Sequence, residues 1–496
     1  MAEKLSPLEL IHPDGFARTV SVLGSGCPTR LRPERPAPGV DARSELVVLA
    51  PTPPELKSHD WLDKATDAAV EGLAEDGVLY VLAPRRSRSR IARRLSKRGL
   101  EIQLTLLHDP DVEASRYLVP LSLATGSYAF TNLIPTRRGR RRLALLTLAV
   151  PLGPRFLART LRSVGFVARA PGARPLFDWA FRLDGCRQDA HLAVITTSWR
   201  GPIGSLVLLR FGDRARYPTA VAKISPVAPS RGALDEEATV LRRIGAAAQQ
   251  AGADVPEPIV VGRLDSRPLM LQTVVGGRSA AAILGDFPDR HDHVAEKLID
   301  WIERWNVETR TVSPLTGERL EHEVQSSARR LAPLLEHGDA YSARLEQLCD
   351  EVLGLPSPFV ARHNDLTMVN IFISASGRLG VVDWEAARES GLPLVDFYYA
   401  IVDATAATTR YRDRRQAFLS CFAENGERAR TTRRFEQRLI SSLGIVTPVA
   451  ELCFHACWLQ YALHEVRHVP SSEGQAFLEI LRSVAGDDLR EPQSAP

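Results

Sequence analysis

The segment from His363 to Glu385 constrains this chain most, because it writes a short hairpin with polar residues at its open end. Asp365 lies in His363-Asn364-Asp365, and Asn370 follows five residues later. Apolar Ile371–Ile373 reads as a strand, Ser376-Gly377-Arg378 as a turn, and Leu379–Val382 as the return strand that delivers Asp383. A hairpin that closes this thirteen-residue gap brings Asn370 and Asp383 to the same end. There an amide oxygen and a carboxylate can reach one hard cation such as Mg²⁺. Asp365 beside them can orient an attacking hydroxyl or accept its proton. Alone, Asp365 fits a helix cap or turn equally well; the register of Asn370 and Asp383 gives it a chemical reading.

Around this segment the chain changes texture twice. Its 496 residues exceed one ordinary core and imply several domains. Residues 1–175 are rich in Arg and Pro, with a turn-prone stretch at Pro28–Gly39. A strand at Glu45–Ala50, a helix at Trp61–Leu73 and a strand at Val78–Ala83 spell a βαβ unit, and a helix at Ser89–Arg98 follows. Residues 176–275 are β-rich, with strands at His191–Thr197, Ser205–Phe211, Thr219–Ile224 and Pro268–Val275 around a helix at Leu234–Ala248. Residues 276–490 are mostly helical. The expected fold is α+β: an N-terminal α/β module, a β-rich lobe and a helical lobe.

The pattern His363-x-Asp365-x-x-x-x-Asn370, with Asp383-Trp384-Glu385, resembles the catalytic and metal-binding motifs of the aminoglycoside phosphotransferase and choline kinase-like family. The resemblance covers about residues 180–470 and implies a bilobal, protein kinase-like C-terminal domain. It implies that Asp365 is the catalytic base and that Asn370 and Asp383 hold Mg²⁺. Gly391–Asp396 is similar to the family's G-x-P-x-x-D segment, in which Asp396 braces the catalytic loop. Lys223, in Ala220–Ile224, matches the lysine that grips the α- and β-phosphates. Glu237 matches its helix partner, with Glu236 as the alternative. The strand Leu269–Val274, ending at Gly276-Gly277, resembles the lobe-connecting hinge, where backbone near Gln272 and Val274 would meet adenine. Thr197–Gly204 stands where a phosphate-covering loop belongs, without a G-x-G-x-x-G pattern. Trp384 and Glu385 fit contact with substrate or metal, and fit packing or surface roles equally well.

The implied reaction moves the γ-phosphoryl group of ATP, or GTP, to a hydroxyl of a small molecule such as a sugar, amino alcohol or antibiotic. Two other classes stay open. One is a nucleotide-binding regulatory protein without catalysis. The other is a bifunctional enzyme with an added S-adenosylmethionine-dependent methyltransferase activity. Residues 40–120 resemble the later half of a class I methyltransferase-like domain, through ELVVLA, DKATDAAVEGLAEDG and VLYVLA. Its cofactor loop has one candidate, Val20–Gly26, which runs into the proline-rich stretch instead of a helix. The N-terminal module is therefore read as a degenerate, partial Rossmann-like domain with a structural or regulatory role.

Composition narrows the class. A net charge of +4 argues against binding nucleic acid by bulk electrostatics. Six dispersed cysteines read as reduced thiols of a cytoplasmic protein, with Cys453 and Cys457 in a core helix instead of a metal site. No signal peptide is legible at the N-terminus, and Leu143–Val150 is far shorter than the roughly 20 residues that span a bilayer. Arg137–Arg142 reads as a solvated loop, with peripheral contact to anionic lipid as the other reading. Trp301, Trp305, Trp458 and His464 read as core, with a pocket lining as the alternative.

Overall fold

The computed structural model describes residues 12, 17, 19–23, 43–84, 88–108, 117–120, 128, 163–174, 176–183, 191–196, 206–211, 217–225, 233–264, 267–468 and 475–486. Pro28–Gly39, Gly24–Gly26, Arg137–Arg142, Leu143–Val150 and Thr197–Gly204 lie outside the described residues. The chain forms two compact units, Met1–Asp235 with Pro258–Val274, and Glu236–Glu257 with Val275–Pro496.

The first unit is built on β1 (Val20–Leu23), β2 (Ser44–Leu49), β3 (Leu73–Pro84), β4 (Glu101–His108), β5 (Tyr117–Pro120), β6 (Ser163–Arg169), β7 (His191–Thr196), β8 (Leu206–Phe211), β9 (Pro218–Ile224), β11 (Pro258–Leu264) and β12 (Arg267–Gln272). They join one sheet in the order β1-β2-β3-β6-β4-β5-β7-β8-β9-β12-β11. β1, β2 and β3 are parallel. Helix α1 (Pro53–Lys57) and helix α2 (His59–Glu71) cross over between β2 and β3, so the strand–helix–strand unit is present. Helix α2 starts two residues before Trp61, because the Ser58 hydroxyl caps it by accepting from Trp61 N at 3.1 Å. The remaining pairings are antiparallel, and the β5–β7 ladder, Tyr117 opposite Ile195, joins the N-terminal strands to the β-rich ones.

Neighbouring residues of β2 and β3 enter opposite cores, as strand alternation requires. Val48 and Tyr80 pack in one cluster with Val167, Leu208, Ala222 and Leu271. Val47 and Leu79 pack in another with Phe166 and with Ile91 and Leu95 of α3 (Arg88–Lys97). Covered on both faces, these strands read as unbroken apolar runs.

In the second unit, α5 (Ala233–Gln250; α4 is Asp178–Arg182) leads into β10 (Ala253–Asp254). β10 pairs with β17 (Leu379–Val381), which pairs with β16 (Ile371–Ile373) and, through it, with β13 (Arg278–Ser279). β14 (Thr311–Pro314), β15 (Pro356–Arg362) and β18 (Arg388–Gly391) form a second sheet. The main helices are α6 (Ala280–Asp286), α7 (His291–Thr309), α8 (Gly338–Val352), α9 (Val395–Thr408), α10 (Arg414–Phe422), α11 (Ala429–Leu443), α12 (Thr447–His468) and α13 (Ala476–Ala485). Trp301 and Trp305 stack at 4.8 Å, Trp305 meets Trp384 edge-on at 5.6 Å, and Trp384 meets His363 at 4.8 Å. These indoles and Trp458, which packs against Phe418 and Phe422, are buried core; His464 is exposed. Cys453 and Cys457 are fully buried in α12, and burial pushes both thiols up. Among the described residues, no helix is long and apolar enough to cross a membrane.

Candidate active site

β15 ends at Arg362 and feeds His363-Asn364-Asp365. Asn364 sits at φ 61°, a left-handed conformation that a non-glycine residue holds only when its neighbours insist. They do. Asp396, near the start of α9, accepts from His363 N at 2.6 Å and Asn364 N at 2.9 Å. The Tyr461 hydroxyl donates to Asn364 O at 2.9 Å, and Asn364 Nδ2 donates to Ala386 O at 2.9 Å. The bracing role assigned to Asp396 thus has a concrete form: one carboxylate takes both amides that precede Asp365.

After Asp365 the loop folds back on itself. Asn370 Nδ2 donates to the Asp365 carbonyl and to its Oδ2, each at 3.0 Å. With its nitrogen so committed, Asn370 keeps Oδ1 as the atom that can coordinate a cation. β16 and β17 then pair antiparallel, Ile371 opposite Val381, and Val382 N donates to Asn370 O at 3.0 Å. The hairpin therefore exists, and Asp383 leaves it next to Asn370's partner, at φ 69°. Asn364, which precedes Asp365, and Asp383 itself are thus left-handed non-glycine residues, a conformation that stores strain.

Two acidic residues lie beside Asp383: Glu237, expected as the partner of Lys223, and Glu385, for which metal or substrate contact and a surface role were equally open. Trp384 N donates to Glu237 Oε1 at 3.2 Å, and ligand oxygens of Glu237, Asp383 and Glu385 lie within 4.8 Å of one another. Glu237 is buried and Glu236 is exposed. The Asp383-Trp384-Glu385 alternation was the available signal: Trp384 is fully buried, so the flanking acids share the other side. Carboxylate oxygens this close form a hard, all-oxygen donor set, and that chemistry fits Mg²⁺.

Burial is the largest cause that raises Asp365 well above the usual carboxylate range. The charges of Asp383, Asp403 and Glu385 push the same way, and the Asn370 hydrogen bond opposes them. Negative charge is thus concentrated around one buried carboxylate.

The other residues singled out in the sequence lie in the first unit. Lys223 is buried on β9, between Val207 of β8 and Met270 of β12. Gln272, the last residue of β12, is buried opposite Val221, and Val274 follows half-buried. Asp365, Asn370, Asp383 and Glu237 belong to the second unit.

Residues 206–432 match the phosphotransferase enzyme family. Among solved structures, the chain is similar to an aminoglycoside phosphotransferase from Streptomyces rimosus at 18% identity, over 56% of this chain and 94% of that one, with a TM-score of 0.33. It is also similar to a macrolide 2'-phosphotransferase from Brachybacterium faecium at 15% identity, over 61% and 93%, with a TM-score of 0.33. No curated protein matches the sequence. The match spans the β8–β9 strands, the loop with Asp365 and Asn370, and the hairpin that delivers Asp383.

Proposed function

We propose that this protein transfers the γ-phosphoryl group of ATP, or GTP, to a hydroxyl of a small molecule such as a sugar, amino alcohol or antibiotic. The observation that carries the reading is the braced loop: Asp365 is hydrogen-bonded to Asn370 and lies within electrostatic reach of Asp383 and Glu385. Phosphoryl transfer needs an oriented hydroxyl, neutralised phosphate charge and little else from a protein. Asp365 orients the acceptor hydroxyl and takes its proton as the bond to phosphorus forms. Asn370 Oδ1 and Asp383 would hold Mg²⁺, with Glu385 beside them. When bound, the ion would offset charge on the transferring phosphates. Lys223 is assigned the α- and β-phosphates, Glu237 the positioning of Lys223, and Gln272 and Val274 the adenine.

Calorimetric titration with ATP and Mg²⁺ tests the donor half. Wild type is expected to bind ATP in a Mg²⁺-dependent way, and Asp383→Ala to lose at least ~10-fold in affinity, the effect of removing one charged metal ligand. Unchanged Mg²⁺-dependent binding in Asp383→Ala would place the metal elsewhere. A screen of hydroxyl acceptors scored by ATP consumption then identifies the acceptor. Binding without consumption across that screen would favour a nucleotide-binding regulatory protein.

A further inference from the structure

Helix α9 is buried from Val395 through Ala407, yet it carries two aspartates, Asp396 and Asp403. They are seven residues apart, two helical turns, and so share a face. Asp396 takes the amides of His363 and Asn364, before Asp365. Asp403 takes an amide after it: Met368 N donates to Asp403 Oδ2 at 2.6 Å. We propose that Asp403 is a second positioning residue for the proposed reaction, closing with Asp396 a two-carboxylate clamp that fixes the loop on both sides of Asp365.

Three further features support the clamp. The Met368 carbonyl is also fixed, accepting from Ala281 N at 2.8 Å at the start of α6, and the Met368 side chain is fully buried. One residue therefore anchors the middle of the span from Asp365 to Asn370, whose side chains must meet. Second, Asp403 is fully buried, a location an ionised carboxylate tolerates only when paired and hydrogen-bonded. Arg414 Nη1 donates to its Oδ1 at 2.8 Å and the Tyr411 hydroxyl to its Oδ2 at 3.0 Å, so both oxygens are occupied. Third, the chain adopts strain to bring those partners in. Arg410 and Tyr411 are left-handed at φ 57° and 58°, turning the backbone between α9 and α10 so that both Tyr411 and Arg414 face Asp403. Such strain persists only where surrounding contacts over-determine it.

A buried ion pair that only stabilises the fold would look similar from a distance, but it would have no need of the Met368 amide. The two roles separate by what each substitution keeps. Asp403→Asn retains an oxygen for Met368 N and loses the charge; Asp403→Ala loses both. This inference rests on the phosphotransferase reading, so the experiment carries one readout that needs turnover and one that does not. Steady-state ATP hydrolysis, with water as acceptor, is measured on the full chain beside hydrogen exchange of the 366–370 peptide. Asp403→Ala is expected to lose at least ~10-fold in kcat while KM for ATP moves by less than about 3-fold, the signature of a misplaced loop with binding intact. Asp403→Asn is expected to recover most of kcat and to keep the Met368 amide protected, whereas Asp403→Ala exposes it. Equal kcat per folded molecule in all three, or unchanged Met368 protection in Asp403→Ala, overturns the clamp. If Asp403→Ala does not fold, the charge-neutral pair Asp403→Asn with Arg414→Met decides. Retained turnover and a protected amide support the clamp, and lost turnover with a protected amide overturns it. A wild type that hydrolyses no ATP and phosphorylates nothing counts against the phosphotransferase reading, while the exchange data still decide the clamp.

Discussion

At the scale of single residues, the candidate site is a set of carboxylates in different employment. Asp396 spends both oxygens on backbone amides, which is how a buried carboxylate is satisfied. Asp365 Oδ2 accepts from Asn370 Nδ2. Carboxylate oxygens of Asp383, Glu237 and Glu385 lie within 4.8 Å of one another. Replacing Asp396 by Ala orphans two buried N–H groups, each worth about 1–3 kcal/mol, so urea unfolding should show a loss of roughly 2–6 kcal/mol. A variant as stable as wild type would mean that the loop holds itself without the carboxylate. The sequence reading of Asp396 rested on a motif; the hydrogen bonds give it a physical cause. Glu237 near Asp383 was not legible in the same way, because 147 residues separate it from Trp384 and no local pattern announces the contact.

Among elements, the β16–β17 hairpin was the most legible, and the reason is its locality. Two apolar runs, a Ser-Gly turn and thirteen residues between Asn370 and Asp383 leave few alternatives. Its dependence on Gly277 was not legible. Gly277 sits at φ +128°, and a Cβ there would lie 2.7 Å from the Ile373 carbonyl carbon and oxygen, against β16 itself. Gly277→Ala therefore meets both a forbidden backbone region and a fixed backbone neighbour. It should cost on the order of 2–4 kcal/mol in chemical unfolding and lower turnover along with it. An Ala variant with wild-type stability would show that this approach is looser than described. Helix ends were legible to within two residues or so. Ser58 moved the start of α2 back because a hydroxyl cap outweighs the apolar period.

For the whole molecule, the instructive element is the β5–β7 ladder. Its strands are more than seventy residues apart in sequence, and neither carries a signal for the other, so pairing of this kind has to be found in three dimensions. Because of it, one apolar cluster holds Val48 and Tyr80 together with Leu208, Ala222 and Leu271. A chain cut to residues 176–496 would expose that cluster and the β7 edge, and edges with apolar faces invite aggregation. It should be recovered insoluble, or bind an apolar dye that the full chain does not; a soluble fragment with the full chain's melting behaviour would make the N-terminal residues dispensable to this sheet. The central claim concerns chemistry, and one comparison tests it most directly: ATP turnover by wild type and Asp365→Ala, each checked for ATP binding. The account predicts that wild type consumes ATP with a hydroxyl acceptor, and that Asp365→Ala binds ATP equally well yet turns over at least ~10²-fold slower. Equal turnover in the two proteins would contradict it.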